Sequence, residues 1–454
     1  MAKAPAQILV VGGGYVGMYT ALRLQKKLRL RQGEATVTVV DPQSYMTYQP
    51  FLPECAAGSL EPRHVVVPLR RVLSKCRVIT GTVDRLDPNT HTAKICPVEG
   101  PAYELHYDHV VVAPGSISRL LPIPGLAEMG IGFKTAAEAV YLRNYVLSRL
   151  DAASSSTDPE VTRRALTFVF VGGGYAGVEA FAELEDMARD VIRQDYKNLR
   201  VEQMTWHLVE AAPRILGELS ESLADYTTDQ LRKRGMQVHI GTTLDSCEDG
   251  HVRLSDGTET VAETIVWTAG VKAEPILGKY GFALDTKGRL PCAATLLASG
   301  FTDVWSAGDC AAVPDLTQPG KMCAPTAQHA VRQAKQLGDN IVASLRGEEP
   351  KKYKHVFAGS VASLGLHKGV AEIYGIKMRG LLAWFLHRTY HVSRVPTFNR
   401  KVRVLVDWTT ALFFRREAVS LGQFADPKAT FRAAAGKGNE DVSQSLEAPN
   451  TVAE

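Results

Sequence analysis

The sequence predicts an α/β fold: two Rossmann-like dinucleotide-binding units, the second inserted in the first, and a distinct module at the C-terminal end. Three observations carry that prediction. The phrase ILVVGGGYVGMYTALRL at 8–24 returns as FVFVGGGYAGVEAFAEL at 168–184. A second flavin-type turn, in FTDVWSAGDCAAVP at 301–314, comes only after the second copy. From Lys351 to Arg432, Lys and Arg outnumber Asp and Glu by 15 to 4, a net +11, while the rest of the chain sums to −7.

Length and composition set the frame. At 454 residues, 45% hydrophobic and 22% charged, the chain has material for two or three domains with real cores. A net charge of +4 does not point to nucleic acid. The seven cysteines are scattered, odd in number and without a C-x-x-C pair. That usage fits a reducing compartment and argues against a disulfide framework or a zinc site. The start, MAKAPAQILVVGG, enters a strand at once, so no signal peptide is expected. No apolar run reaches the ~18 residues of a membrane span.

In the first copy, Ile8–Val11 reads as a strand and Met18–Leu28 as a helix. Between them Gly12, Gly14 and Gly17 stand at G-x-G-x-x-G spacing. The first glycine allows the tight turn, the second lets backbone N–H groups approach a pyrophosphate, and the third lets helix pack on strand. The phosphates then face the positive end of the helix. The next strand, ATVTVVD, ends at Asp41, an acceptor for ribose hydroxyls. The second copy repeats every part: strand Val169–Val171, glycines Gly172, Gly174 and Gly177, and MTWHLVE ending at Glu210. A carboxylate there chelates ribose hydroxyls and repels a 2′-phosphate, which predicts NADH over NADPH; Arg214 nearby is the group that would accept such a phosphate. Two complete cradles predict two dinucleotides that meet, FAD held and NADH visiting, with hydride passing between them. The alternative is an internal duplication with one idle copy.

Two stretches favour FAD in the first cradle. YDHVVVAPGS at 107–116 is a strand ending in a small-residue turn, and the strand in FTDVWSAGDC ends at Gly308-Asp309. In two-dinucleotide flavoproteins an Asp at this place binds the ribityl hydroxyls, so Asp309 is the expected ribityl ligand. The expected organisation is an FAD-binding unit in two halves, 1–118 and 277–345, an NADH-binding unit at 119–276, a C-terminal module at 346–436 and a disordered tail at 437–454.

YQPFLPECAAGSL, FKTAAEA, GGGYAGVEAFAEL, LVEAAPRIL, VWTAGV, AGDCA and PTAQHAVRQA occur in that order. Together they resemble the type II NADH dehydrogenases, single-subunit, non-pumping NADH:quinone oxidoreductases, over about residues 6–432. The resemblance implies a tightly but non-covalently bound FAD, NADH as substrate and a membrane quinone, menaquinone or ubiquinone, as acceptor. It implies a homodimer attached peripherally to the cytoplasmic face of the cell membrane. It places Ala269 and Gly270 of WTAGV at the NADH site. PTAQHA should begin a helix, with Pro325 near its first position and Thr326 or its neighbour as cap. The first N–H groups, around Ala327 and Gln328, would then face flavin N1 and C2=O and favour the anionic reduced form. Gln328 is also implied at the quinone pocket. The chain departs from the family's pattern at Arg332, where Gln is usual, and at Ala334, where Gly is usual. Glu179 matches a carboxylate near the nicotinamide–flavin stack; its other explanation is a first-turn acid suited to the helix dipole. His329 is either a packed helix histidine or a proton relay.

Cys55, 14 positions beyond Asp41, stands where flavin-linked thiol reductases carry a catalytic cysteine. No second cysteine follows four or five residues on, so a dithiol mechanism is excluded. A single-cysteine coenzyme A disulfide reductase or sulfide:quinone reductase remains the alternative function, against a plain buried thiol. In the C-terminal module an alternating, glycine-punctuated stretch precedes GLLAWFLHRTYHV and RKVRVLVDWTTALFFRRE. The first clusters Leu381, Leu382, Trp384, Phe385 and Leu386 beside His387 and Arg388. In the second, Val404, Leu405, Trp408 and Leu412 share a helical stripe flanked by Arg400, Lys401, Arg403, Arg415 and Arg416. Such helices fit a membrane interface; a dimerisation domain is the other use of this position.

Overall fold

The computed structural model describes residues 4–355, 359–414, 416, 419–421 and 428–434. The expected disordered tail, and Arg415, lie outside the described residues. The chain opens with β1 (Ala6–Val11), α1 (Tyr15–Lys27), β2 (Ala35–Asp41), the short α2 (Leu52–Ala56), β3 (Arg77–Asp87), β4 (Thr92–Pro97), β5 (Tyr103–His106), β6 (His109–Val112) and β7 (Ser116–Ser118). It continues through β8 (Gly130–Gly132), α3 (Ala136–Ser155), β9 (Thr167–Val171), α4 (Tyr175–Asp195), β10 (Thr205–Glu210), β11 (Gln237–Ile240), β12 (Thr264–Trp267) and β13 (Val271–Ala273). After these come β14 (Val304–Ser306), α5 (Ala327–Leu345), β15 (Gly359–Ser363), β16 (Gly369–Ile373), β17 (Ile376–Arg379), α6 (Gly380–Arg394) and α7 (Phe398–Phe413).

Both cradle strands are short, apolar and buried, as strands covered on two faces must be. One sheet runs β14-β6-β1-β2-β3-β4-β5 and the other β8-β12-β9-β10-β11. In each, the cradle strand has the next strand on one side and a late strand on the other, all parallel. That is the switch point outside which open α/β sheets bind ligands. β14 pairs with β6, so the chain returns from the second sheet to complete the first. Where it crosses between sheets, β7 and β13 form an antiparallel ribbon.

Several boundaries differ from the sequence-based expectation. β1 and β9 each begin two residues early, at Ala6 and Thr167. α1 starts at Tyr15 rather than Met18 and ends at Lys27, because Gly14 itself is the N-cap. Pro325 is not at the first helical position of α5: Thr326 is the cap, its Oγ1 accepting from the His329 N–H at 3.3 Å, so the proline lies one residue outside.

In the C-terminal module β15–β17 form an antiparallel meander on which α6 packs. The stripe expected to face a membrane is instead partly internal. Trp384, Val404 and Trp408 are buried. The Arg388 guanidinium lies between the Trp384 and Trp408 rings, 4.0 and 4.6 Å from their centroids. Its Nε donates to the fully buried Glu54 at 3.1 Å, and Trp408 Nε1 donates to the other Glu54 oxygen at 2.7 Å. A buried charge needs such partners, and these fix the module to α2. Arg416 is also turned inward, toward Glu183 at 3.9 Å. The exposed sides carry a different apolar set: Leu381, Leu382 and Phe385 on α6, and Phe398, Val402, Leu405, Val406 and Phe413 on α7. Among the described residues no helix is long and apolar enough to cross a membrane.

Candidate functional site

The two cradles are built alike. Gly12 has φ +98° and Gly172 has φ +118°, and an added Cβ would lie 2.2 Å from the Ala113 carbonyl oxygen or 2.6 Å from Thr268 Oγ1. At Gly17 and Gly177 a Cβ would fall 1.8 and 1.9 Å from the carbonyl oxygen of Gly12 and Gly172. Only glycine fits these four places. At Gly14 and Gly174 a Cβ would meet nothing within 4 Å, so this side of each turn is open for a ligand to approach. The acids close the parallel. Asp41 accepts the N–H groups of Gly13 and Gln43, both at 2.6 Å, while burial raises its pKa against those bonds. Glu210 accepts the N–H groups of Gly173 and Ala212 at 2.5 and 2.7 Å. Each acid is thereby held at the rim of its cradle, where a ribose would lie. The Arg214 guanidinium donates to the Gly217 carbonyl at 3.1 Å. Thr268 pins the second cradle by donating to the Val171 and Gly172 carbonyls, and Ala269 and left-handed Gly270 follow it along the same edge. These features fit a pyrophosphate and a ribose in each cradle.

Asp309 sits in a single turn, Gly308–Cys310, after β14. Gly308, at φ +74°, leaves no room for a side chain against Val16, and its N–H donates to the buried Gln333 at 2.8 Å. Asp309 Oδ2 accepts from Ser116 Oγ at 2.6 Å, and Lys134 Nζ donates to that same Oγ at 2.7 Å. Gln333, Ser116 and Lys134 were not singled out from sequence. Lys134 lies inside FKTAAEA, so the motif was visible although its working atom was not.

At the start of α5 Ala327 is exposed, and Gln328 donates its amide to the Gly359 carbonyl at 3.0 Å, tying the helix to the module. Arg332 donates to the Gln328 carbonyl within the same helix. Ala334 is buried against α1, its carbonyl accepting from Thr20 Oγ1 at 3.2 Å. The close approach that a glycine permits falls one turn later, at Gly338, where a Cβ would lie 2.7 Å from Arg23 Cβ. His329 shares a 3.0 Å hydrogen bond with Tyr353, and burial lowers its pKa, which suits a packed helix histidine.

Glu179 is not a first-turn acid. α4 begins at Tyr175, which puts Glu179 in the second turn and buries it under the module. Its Oε1 accepts the Ser363 N–H at 2.9 Å and lies 3.0 Å from His387 Nε2. Burial disfavours the His387 cation, but the bond to Glu179 and the charges of Glu179, Glu54 and Glu183 outweigh it and raise its pKa. One turn on, His391 shares a 3.2 Å hydrogen bond with Tyr48, and burial together with His387 holds its pKa well below the usual imidazole value. The histidines were not read as a site because their partners are some 200 to 340 positions away.

Cys55 is fully buried, and burial pushes its thiol up to about 12. At neutral pH it is a thiol, not a nucleophilic thiolate. Among the described residues no group of His, Cys, Asp and Glu is arranged to hold a metal ion.

Comparison with known proteins agrees with this geometry. The chain is 27% identical to the type II NADH:quinone oxidoreductase Ndh of Mycobacterium tuberculosis, over 90% of this chain and 89% of that one. It is 29% identical to the type II NADH:quinone oxidoreductase of Staphylococcus aureus, over 87% and 96%. Its fold matches that of NDH2 from Plasmodium falciparum, solved in complex with NADH, with a TM-score of 0.84 at 16% identity, covering 91% of this chain and 99% of that one. The family model of the pyridine nucleotide-disulphide oxidoreductases matches residues 3–334, a span that takes in both cradles and Asp309. With two glycine turns, two rim acids and the matched span in agreement, the chain belongs to the pyridine nucleotide-disulphide oxidoreductase family.

Proposed function

We infer that the protein is an FAD-dependent NADH:quinone oxidoreductase that works at a membrane surface without pumping protons. The observation that carries this reading is the pair of complete cradles, each on a strand with parallel neighbours at the switch point of its own sheet. The curated relatives, named for NADH and quinone, support it. Gly12, Gly14, Gly17, Asp41, Gly308 and Asp309 would hold FAD; Gly172, Gly174, Gly177, Glu210, Ala269 and Gly270 would hold NADH. FAD, when bound, accepts hydride from the nicotinamide and passes on two electrons.

The chain's own residues supply position, charge and protons. The N-terminus of α5, at Ala327 and Gln328, presents its positive end to negative charge developing nearby. Glu179 and His387, 3.0 Å apart in a buried site, would relay a proton to an acceptor that needs one. A quinone would enter beside α6 and α7. The exposed apolar residues of these helices, with Arg394, Lys401 and Arg403 on the same module, suit a lipid interface. Each such cation adds about 1 kcal/mol of attraction to an anionic bilayer. The division at 1–118, 119–276, 277–345 and 346–436, the homodimer and the cytoplasmic membrane face belong to the same reading. The single-cysteine thiol or sulfide reductase is disfavoured by the protonated, buried Cys55.

Anaerobic stopped-flow on the purified yellow protein tests the reading. The expected result is rapid bleaching by NADH, slow bleaching by NADPH and prompt reoxidation by a menaquinone analogue. Bleaching without reoxidation, with a long-wavelength charge-transfer band, would return the function to Cys55. Flotation with anionic vesicles checks the membrane, and sedimentation the dimer.

A further inference from the structure

Lys134 is a half-buried lysine whose presence the cradles alone do not explain. It is the one residue between Phe133, which follows β8, and Thr135, the cap of α3. Its backbone is fixed at both ends: the N–H donates to Glu138 at 2.9 Å, and the carbonyl accepts from Gln49 at 3.3 Å. The side chain then reaches across to β7, in the ribbon where the chain crosses between the sheets. There Nζ meets Ser116 Oγ at 2.7 Å, and Ser116 passes its own proton toward Asp309 Oδ2 at 2.6 Å. Burial lowers the Lys134 pKa, opposed by the charges of Asp309, Glu138 and Glu274. Among the described residues no carboxylate forms a direct ion pair with it. Nζ donates instead to a hydroxyl that in turn donates to Asp309.

We propose that Lys134 is a positioning residue for the FAD site, lent to it by the inserted unit. Through Ser116 it fixes Asp309 Oδ2, so that Oδ1 remains the acceptor for a ligand hydroxyl. Its charge also favours the more negative, reduced state of a bound flavin. FAD retention is thereby coupled to the seating of the inserted unit on the first. The inference rests on the reading that the first cradle holds FAD.

The test compares wild type, Lys134→Met, Lys134→Arg and Ser116→Ala. FAD affinity is measured by titrating apoprotein and following flavin fluorescence, and the midpoint potential of bound flavin by dye equilibration. Lys134→Met should bind FAD about 10-fold or more weakly, as expected on losing a charge-assisted bond, and should have a more negative potential. Lys134→Arg should stay within about 3-fold of wild type, because it keeps the charge and a donor. Ser116→Ala breaks the same bridge from the other side and decides the matter if Lys134→Met does not fold. A bridge-breaking variant with wild-type affinity and potential overturns the inference. Wild-type apoprotein that takes up no FAD overturns the underlying reading instead.

Discussion

The cradle at Gly12 and the cradle at Gly172 share their glycine geometry and their rim hydrogen bonds, yet what covers them differs. α1 of the first lies under α5, with Thr20 bonded to Ala334 and Arg23 paired to Asp339 at 2.7 Å. The Gly308-Asp309 turn then closes against Val16. α4 of the second is covered by the C-terminal module instead. There Glu179 and Glu183 meet Ser363 and His387, while Glu185 and Asp186 pair with Arg234 and Asp186 also takes the Leu366 N–H. One backbone solution thus stands in two different surroundings. A cradle closed by its own unit suits a nucleotide that stays. A cradle whose helix is buried against the C-terminal module suits one that comes and goes.

The largest expected effect separates the two directly. Gly17→Val should give a colourless protein, while Gly177→Val should stay yellow and lose NADH reduction by more than about 100-fold; each puts a side chain onto a carbonyl oxygen. Visible spectra of the two purified variants are sufficient. If both are colourless, the cradles fold as one unit and the comparison fails.

Next, Glu210→Ala should raise the KM for NADH by about 10- to 100-fold, the size of two lost ribose bonds, and narrow the preference over NADPH. FAD content should not change. An unaltered NADH to NADPH ratio in steady-state kinetics would mean that Glu210 does not read the ribose.

Sharpening the difference above α4 needs Glu179→Gln and His387→Leu. Each should slow quinone reduction about 10-fold while flavin bleaching by NADH stays close to wild type. The pH dependence has a definite sign. His387 has a raised pKa in the fold, so its stabilising contribution is complete below the unfolded value of about 6.5 and is lost as pH rises through the folded one. His391 is lowered, so its contribution is complete above about 6.5 and is lost as pH falls. Melting curves across pH should therefore lose their alkaline decline in His387→Leu and their acid decline in His391→Leu.

The smallest effect is expected at Cys55→Ala: quinone turnover within about 2-fold of wild type, and stability lower by about 1 kcal/mol for the atom removed from a packed site. Loss of quinone reduction would revive the thiol mechanism.

Both cradles, their rim acids, the return of the chain at Gly308-Asp309 and the separate character of the last hundred residues could be read from sequence. These features are local: a strand, a turn and a helix cap depend on neighbours within some twenty positions, and glycine spacing records backbone contact that no other residue allows. The amphipathic helices were legible as helices, but not which face looks outward. Trp384, Val404 and Trp408 and the exposed set of Leu382, Phe385 and Leu405 are equally apolar, and only packing against Glu54 and Arg388 chose between them. The same holds for Glu179, His387 and Lys134. Each meets a partner that the fold carries in from a distant segment. Hydrogen bonding and burial act through space, so the sequence alone determined where the two glycine turns and their acids lie, and the tertiary structure decided which charges surround them.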